Sequence, residues 1–155
     1  MGLNSTLLNV SRPAGWLTLA IAVGVPLVAL PVLPDEIPRH YDLAGNINAY
    51  GPKWLILTIP GISLFLYGLF SIFQKHVRVF ATMNAHTGGS PPDTEQVRAM
   101  LQATKALTML LFAILGTRTV AIAMEHPDLV PPWLIWVPLV LVTALPFAVH
   151  LASRR

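Results

Sequence analysis

Four nearly continuous apolar runs divide the chain, at residues 15–33, 54–73, 106–124 and 133–151. Each is about twenty residues long, which is what a helix needs to cross about 30 Å of hydrocarbon. Barrel strands would alternate apolar and polar positions over about ten residues, and these runs do not alternate. In lipid only helices or closed barrels satisfy every backbone polar group internally. The pattern therefore predicts an all-α integral membrane protein of four transmembrane helices, arranged as two helical hairpins. No internal repeat is legible, and residues 1–155 read as a single membrane domain.

The polar segments between the runs differ in character. Residues 34–53 hold Pro34, Pro38, Pro52, Gly45, Gly51, Asn46 and Asn48, a composition that predicts a structured loop of turns after the first helix. Residues 74–105 form the main basic stretch, with Lys75, Arg78, Arg98 and Lys105. It is broken at Thr87-Gly-Gly-Ser-Pro-Pro92, after which Ser90 as N-cap, Pro91 at N1 and Asp93 at N3 predict a helix start in water. That helix is expected to enter the membrane near Ala106. Residues 125–132 form a short turn, and Ser153-Arg-Arg155 closes the chain.

Composition sharpens this picture. Hydrophobic residues make up 54% of the chain and charged residues only 11%, less than half the roughly 25% charge of a soluble domain. Mean hydropathy is +0.63. The net charge of +3 is not organised as a stripe with interleaved aromatics, so a nucleic-acid partner is not expected. The cations flank apolar runs instead. Four lie between runs two and three and two at the C-terminus, against two in residues 34–53 and none in 125–132. That asymmetry predicts cytoplasmic N- and C-termini, a cytoplasmic 74–105 loop and an extracytoplasmic 34–53 loop. Trp54 and Trp133 then fall at the outer interface and Trp16 at the inner one, where aromatic belts belong. The first run is expected to be a retained helix: it is long for a signal peptide, and no Ala-x-Ala site follows it.

Candidate chemistry is sparse. Without cysteine, disulfides and thiolate chemistry are excluded. His-Glu-x-x-His, Gly-x-Ser-x-Gly and Walker patterns are absent, so no catalytic residue, cofactor or metal is assigned and no enzyme is expected. His40 lies near Asp35, Glu36 and Asp42, but one histidine with scattered carboxylates is a weak metal pattern. Arg118 is the most informative single residue. Placing it inside the third run costs roughly 2.5–3.5 kcal/mol at a helix centre, and its Leu, Ile, Val and Phe neighbours return about 0.3–0.6 kcal/mol each. Either Arg118 snorkels toward Glu125, seven residues on, or it faces the bundle and meets a carboxylate of the 34–53 loop or an anionic ligand. The prolines within runs one, two and four are either kinks that open a cavity or the ordinary prolines of membrane helices.

The outer loop also carries a resemblance. Leu33, Pro34, Ile37, Pro38, His40, Tyr41, Asp42, Gly45, Tyr50, Gly51 and Lys53 resemble the signature of a prokaryotic membrane domain of unknown function, number 1648, found in SdpI-like toxin-immunity proteins. Asn48 stands where that pattern has Asp. The resemblance covers roughly residues 15–75 and implies a motif set between two membrane helices. It points to a non-catalytic multi-pass protein of a prokaryotic cell membrane that binds a ligand or partner through its outer loop. The candidate binding residues are His40, Asp42, Gly45, Asn48, Gly51, Lys53 and Arg118. Besides the lipid bilayer, a membrane-protein partner or a second copy of the chain is expected. Two other readings are an accessory structural subunit of a larger membrane complex and a small transporter or channel built on Arg118.

Overall fold

The computed structural model describes residues 3–42, 46–77 and 94–152. Helix α1 spans Leu3–Ala29. A β-hairpin follows, with β1 at Glu36–Tyr41 and β2 at Ile47–Pro52. A 3₁₀ turn at Lys53–Leu57 leads into α2, Thr58–Lys75. Helix α3 is Thr94–Ala123. Short 3₁₀ turns at Pro127–Leu129 and Pro132–Ile135 precede α4, Trp136–Ala152. The predicted cap at Ser90, the break at residues 87–92 and the C-terminal arginines lie outside the described residues.

Three segments are long and apolar enough to cross a membrane: Leu8–Ala29, Lys53–Lys75 and Thr94–Ala123. The fourth helix is apolar and shorter. Large apolar side chains such as Leu17, Val28, Phe65 and Val140 stay exposed on the helix flanks. Such a surface suits lipid rather than water. The fold is mostly helical, as in an α-helical membrane protein, with one two-stranded β-hairpin between the first two helices.

The main packing is not within the sequence-adjacent hairpins. Helix α3 is central, with 39% of its spanning window buried against 22% and 17% for the other two spans, and its most extensive partner is α1. The two run parallel: Ser11 and Gly15 of α1 meet Gln102 and Ala106, while Pro26 meets Gly116. Ser11, Gly15, Leu19, Ala22 and Pro26 form the buried face of α1. Ala99, Gln102, Ala106, Met109, Ala113 and Gly116 form that of α3. Both faces repeat every three to four residues, as helices packed at a shallow angle require. Most of these residues are small, which lets backbones approach closely where no hydrophobic effect drives association.

Helix boundaries follow from proline. The first apolar run extends to Leu33, yet α1 stops at Ala29 and continues as a turn, with Val32 and Leu33 N–H both bonded to the Ala29 carbonyl. Pro31 has no N–H and disfavours helix in the residue before it. Pro60 and Pro138 each stand at the third residue of an α-helix, where an N–H would lack an intrahelical partner. They start helices rather than kink them. Pro26 does lie inside α1, and its buried ring fills the groove over Gly116.

The predicted loop is a hairpin. Its strands pair antiparallel, Glu36 with Pro52 and Ile37 with Gly51, and the register shifts around His40. Pro38 cannot donate to a ladder, which matches an irregularity at that point. Ile37 plugs the hairpin onto the helix ends, in a cluster with Leu33 and Ile56 that Ala29, Ile59, Val120 and Ala123 surround.

Candidate functional site

The hairpin leans over α2, α3 and the α3–α4 connection and leaves two adjoining cavities. One, about 810 Å³, lies toward α2 and is lined by Ile56, Thr58 and Ile59. The other, about 670 Å³, lies toward α4 and is lined by Arg118, Ile135 and Trp136. Arg39, His40, Tyr41, Asn48 and Leu115 line both. An apolar floor with a few convergent polar groups is the usual make-up of a ligand site.

Most of the residues singled out from the sequence gather here, with different duties. The Nδ1–H of His40 donates to Asn48 Oδ1 at 2.6 Å, across the two strands. Asp42 closes the hairpin turn: Oδ1 accepts the Asn46 N–H at 2.8 Å and Oδ2 the Asn46 side-chain amide at 3.0 Å. The Asp42 N–H in turn bonds the Asn46 carbonyl at 2.9 Å. An aspartate bonding backbone a few residues on is a turn-forming role.

Gly51 and Lys53 are structural in position. A Cβ on Gly51 would stand 2.7 Å from Leu55 Cδ1 and 3.1 Å from Arg39 Cδ, so the hairpin and the 3₁₀ turn meet there without room for a side chain. Lys53 Nζ lies 3.1 Å from Asp35 Oδ1, and the Lys53 N–H donates to the Asp35 carbonyl at 2.8 Å. These bonds tie the end of α1 to the approach to α2. Asp35 is almost fully exposed, and such surface pairs contribute at most about 1 kcal/mol. Gly45 lies outside the described residues.

Arg118 turns inward. It is buried, its Nη1 donates to the Val130 carbonyl, and its guanidinium carbon sits 5.6 Å from the centre of the Tyr41 ring. Glu125 is exposed at the end of α3. Tyr41 donates in turn to Thr119 Oγ1 at 3.4 Å. Burial pushes the Tyr41 phenol above its ordinary value, with the Thr119 hydrogen bond and the Arg118 charge acting in the opposite direction. Among the described residues, no three of His, Cys, Asp and Glu gather as a metal-ligand set.

A second polar group lies at the other end of the bundle, and the residue pattern did not announce it. Lys105 belongs to the basic stretch in the sequence, yet it is buried between α2 and α3. Its Nζ donates to Gln74 Oε1 at 3.0 Å and Ser71 Oγ at 3.3 Å, and stands 4.4 Å from the centre of the Tyr67 ring. Gln74 Nε2 donates to Gln102 Oε1 at 2.9 Å, and Gln102 Nε2 to the Ser11 carbonyl at 3.3 Å. A chain of side chains thus links α1, α2 and α3. The available signal was the phase of Gln102, which falls on the three-to-four repeat of small residues that marks the buried face of α3; Lys105 lies one residue off that repeat, beside Ala106.

A membrane protein with a hairpin-capped bundle is therefore the class that the fold and site define. Within it, residues 17–64 match the family model described as Domain of unknown function (DUF1648). The matched stretch runs from α1 through the hairpin into α2, so it includes one wall of each cavity but neither α3 nor α4. Comparison with curated proteins and with solved structures finds no match.

Proposed function

We propose that this chain is a non-catalytic, multi-pass protein of a prokaryotic cell membrane that binds a ligand or partner at its hairpin. The hairpin faces outward and both termini are cytoplasmic. The observation that carries this reading is the pair of cavities sharing Arg39, His40, Tyr41, Asn48 and Leu115. Their apolar floors favour a ligand with an apolar body, and the cations and amide at the rim favour a polar or anionic group on it. A segment of secreted peptide meets both demands, in keeping with an immunity or sensing role.

The cation distribution supports the orientation. Arg12, Lys75 and Arg98 lie at the end opposite the hairpin, and Lys or Arg collect on the cytoplasmic side. Trp54 and Trp133 lie at the hairpin end and are exposed, where an aromatic belt would hold them.

The test is a photocross-linking residue at Ala49, within the larger cavity, in cells producing the chain at native level. A discrete adduct that disappears with Leu115→Arg, while the same linker at exposed Phe65 yields none, supports ligand binding at the hairpin. Equal labelling from both positions sinks it. Sensitisation of a deletion strain to a secreted peptide, restored by the wild-type chain and not by Leu115→Arg, would identify the ligand class.

A further inference from the structure

Away from the hairpin, the bundle holds a cavity of about 320 Å³ lined by Leu8, Arg12, Gln74, Lys75, Arg98 and Gln102. It sits where α1 has just begun, α2 ends and α3 starts. Among its described lining residues, half are cations and none is a carboxylate. Among the described residues, Arg12, Lys75 and Arg98 have no ion-pair partner; the ion pair those residues form is between Lys53 and Asp35, at the other end.

Like charges collected around one concavity repel one another. The site adds a fourth positive group behind its wall. Gln74 lines the cavity, and its Oε1 accepts from the buried Lys105 ammonium. The neighbours that hold Lys105 are neutral: a serine hydroxyl, a glutamine carbonyl and a tyrosine ring. A cation kept in a membrane bundle on neutral acceptors leaves positive potential that an anion in the adjoining cavity would offset.

We infer that this cavity binds a phosphate group, as the headgroup of an anionic phospholipid or as a soluble phosphate compound. Arg12 and Arg98 offer planar forks that match phosphate oxygens, and Lys75 a point charge. All three residues are exposed, and long cationic side chains of this kind can carry their charge to the level where lipid headgroups lie. Gln74 and Gln102 are held by their mutual bond at 2.9 Å, which gives the polar wall a fixed geometry. Basic pockets between helices are a recurrent means of holding anionic headgroups. This inference does not depend on what the hairpin binds.

The experiment uses the full chain purified in a neutral detergent. Phosphatidylglycerol, phosphatidylcholine and inorganic phosphate are titrated separately, with native mass spectrometry counting bound molecules and the melting temperature as a second readout. Phosphatidylglycerol is expected to bind and raise the melting temperature, and phosphatidylcholine to do neither. Arg12→Gln, Lys75→Gln and Arg98→Gln should each weaken binding about five-fold, the factor for roughly 1 kcal/mol per cation near a charged headgroup. Lys53→Gln removes the same charge at the hairpin end, from a surface ion pair outside both hairpin cavities, and should leave binding unchanged. Competition by inorganic phosphate assigns a soluble phosphate compound; its absence assigns the lipid. Equal binding of both lipids without any phosphate effect overturns the inference. So does equal weakening by Lys53→Gln and the three cavity variants. Lys75 and Arg98 are exposed, so their variants are expected to fold, which an unchanged circular dichroism spectrum verifies.

Discussion

The Arg118 guanidinium carbon stands 5.6 Å from the centre of the Tyr41 ring, which couples the middle of the α3–α4 half to the hairpin of the α1–α2 half. The same arginine holds the Val130 carbonyl and so ties down the connection to α4. A charged donor on a carbonyl is worth about 1.5–3 kcal/mol and a desolvated cation–ring contact up to about 2 kcal/mol. Arg118→Met should therefore insert and fold but lose about 2 kcal/mol or more, and a cysteine placed at Val130 should become reactive to a polar maleimide. Unchanged protection at that position would refute the anchoring role.

Tyr41 carries a pH consequence. Its folded pKa lies above the ordinary phenol value because burial disfavours the phenolate, so the folded state holds its proton longer than the unfolded one. The linked stability is fully present below pH about 10 and declines as pH rises through the folded value. In alkaline melting curves Tyr41→Phe should lose less stability than wild type across that window. Parallel curves would show that the phenol is not the titrating group.

Lys105 tests a different rule. Removing one partner of a buried polar pair leaves the other desolvated and unsatisfied, whereas removing the costly charge can be nearly neutral. Gln74→Leu strips Lys105 of its 3.0 Å acceptor and Gln102 of its donor, and should cost about 2–3 kcal/mol in detergent unfolding. Lys105→Met should cost less, about 1 kcal/mol. The double variant should recover part of the Gln74→Leu loss, because contacting residues do not act additively. Strict additivity of the two losses would rule out the network.

At Gly116, α1, α2 and α3 meet closely. A Cβ there would stand 3.2 Å from Pro26 Cγ and 3.4 Å from Ile59 Cγ2, whereas one on Gly24 meets nothing within 4 Å. Gly116→Val should destabilise by about 1–3 kcal/mol through overpacking. Gly24→Ala should be neutral or slightly stabilising, since alanine is the better helix former by up to about 1 kcal/mol. Comparable melting temperatures for the two variants would argue against the tight seam.

Helix α3 ends in a Schellman motif. The His126 N–H reaches the Ala121 carbonyl at 2.8 Å and the Glu125 N–H the Ile122 carbonyl at 3.0 Å, with Glu125 at φ 63°. Glycine normally occupies that left-handed position. Glu125→Gly should gain up to about 1 kcal/mol, and a loss of stability instead would mean that the glutamate side chain makes a contact of its own.

Among the described residues, three long apolar helices and a shorter fourth follow the apolar runs of the sequence, because a bilayer imposes a length on any apolar run that crosses it. Ala123 falls within a residue of the expected end of the third run, while α1 stops four residues before Leu33 because Pro31 follows. The motif around His40 was visible as a cluster, and its prolines and glycines argued against helix. That it forms two paired strands was not visible, since the alternation is broken at Pro38 and the register shifts around His40.

What the sequence alone determined was the solvent: long apolar runs belong in lipid, and most of the scarce cations gather at their ends. Which helix lies at the centre, and which side of each faces protein, was decided by the tertiary structure. Hydropathy cannot discriminate a lipid-facing leucine from a protein-facing one, because both surroundings are apolar. Only small residues and neutral acceptors brought together from α1, α2 and α3 create room for Lys105, and only the hairpin resting on α3 turns Tyr41 toward Arg118. Those pairings join residues far apart in the chain, so close packing selects them and local pattern does not.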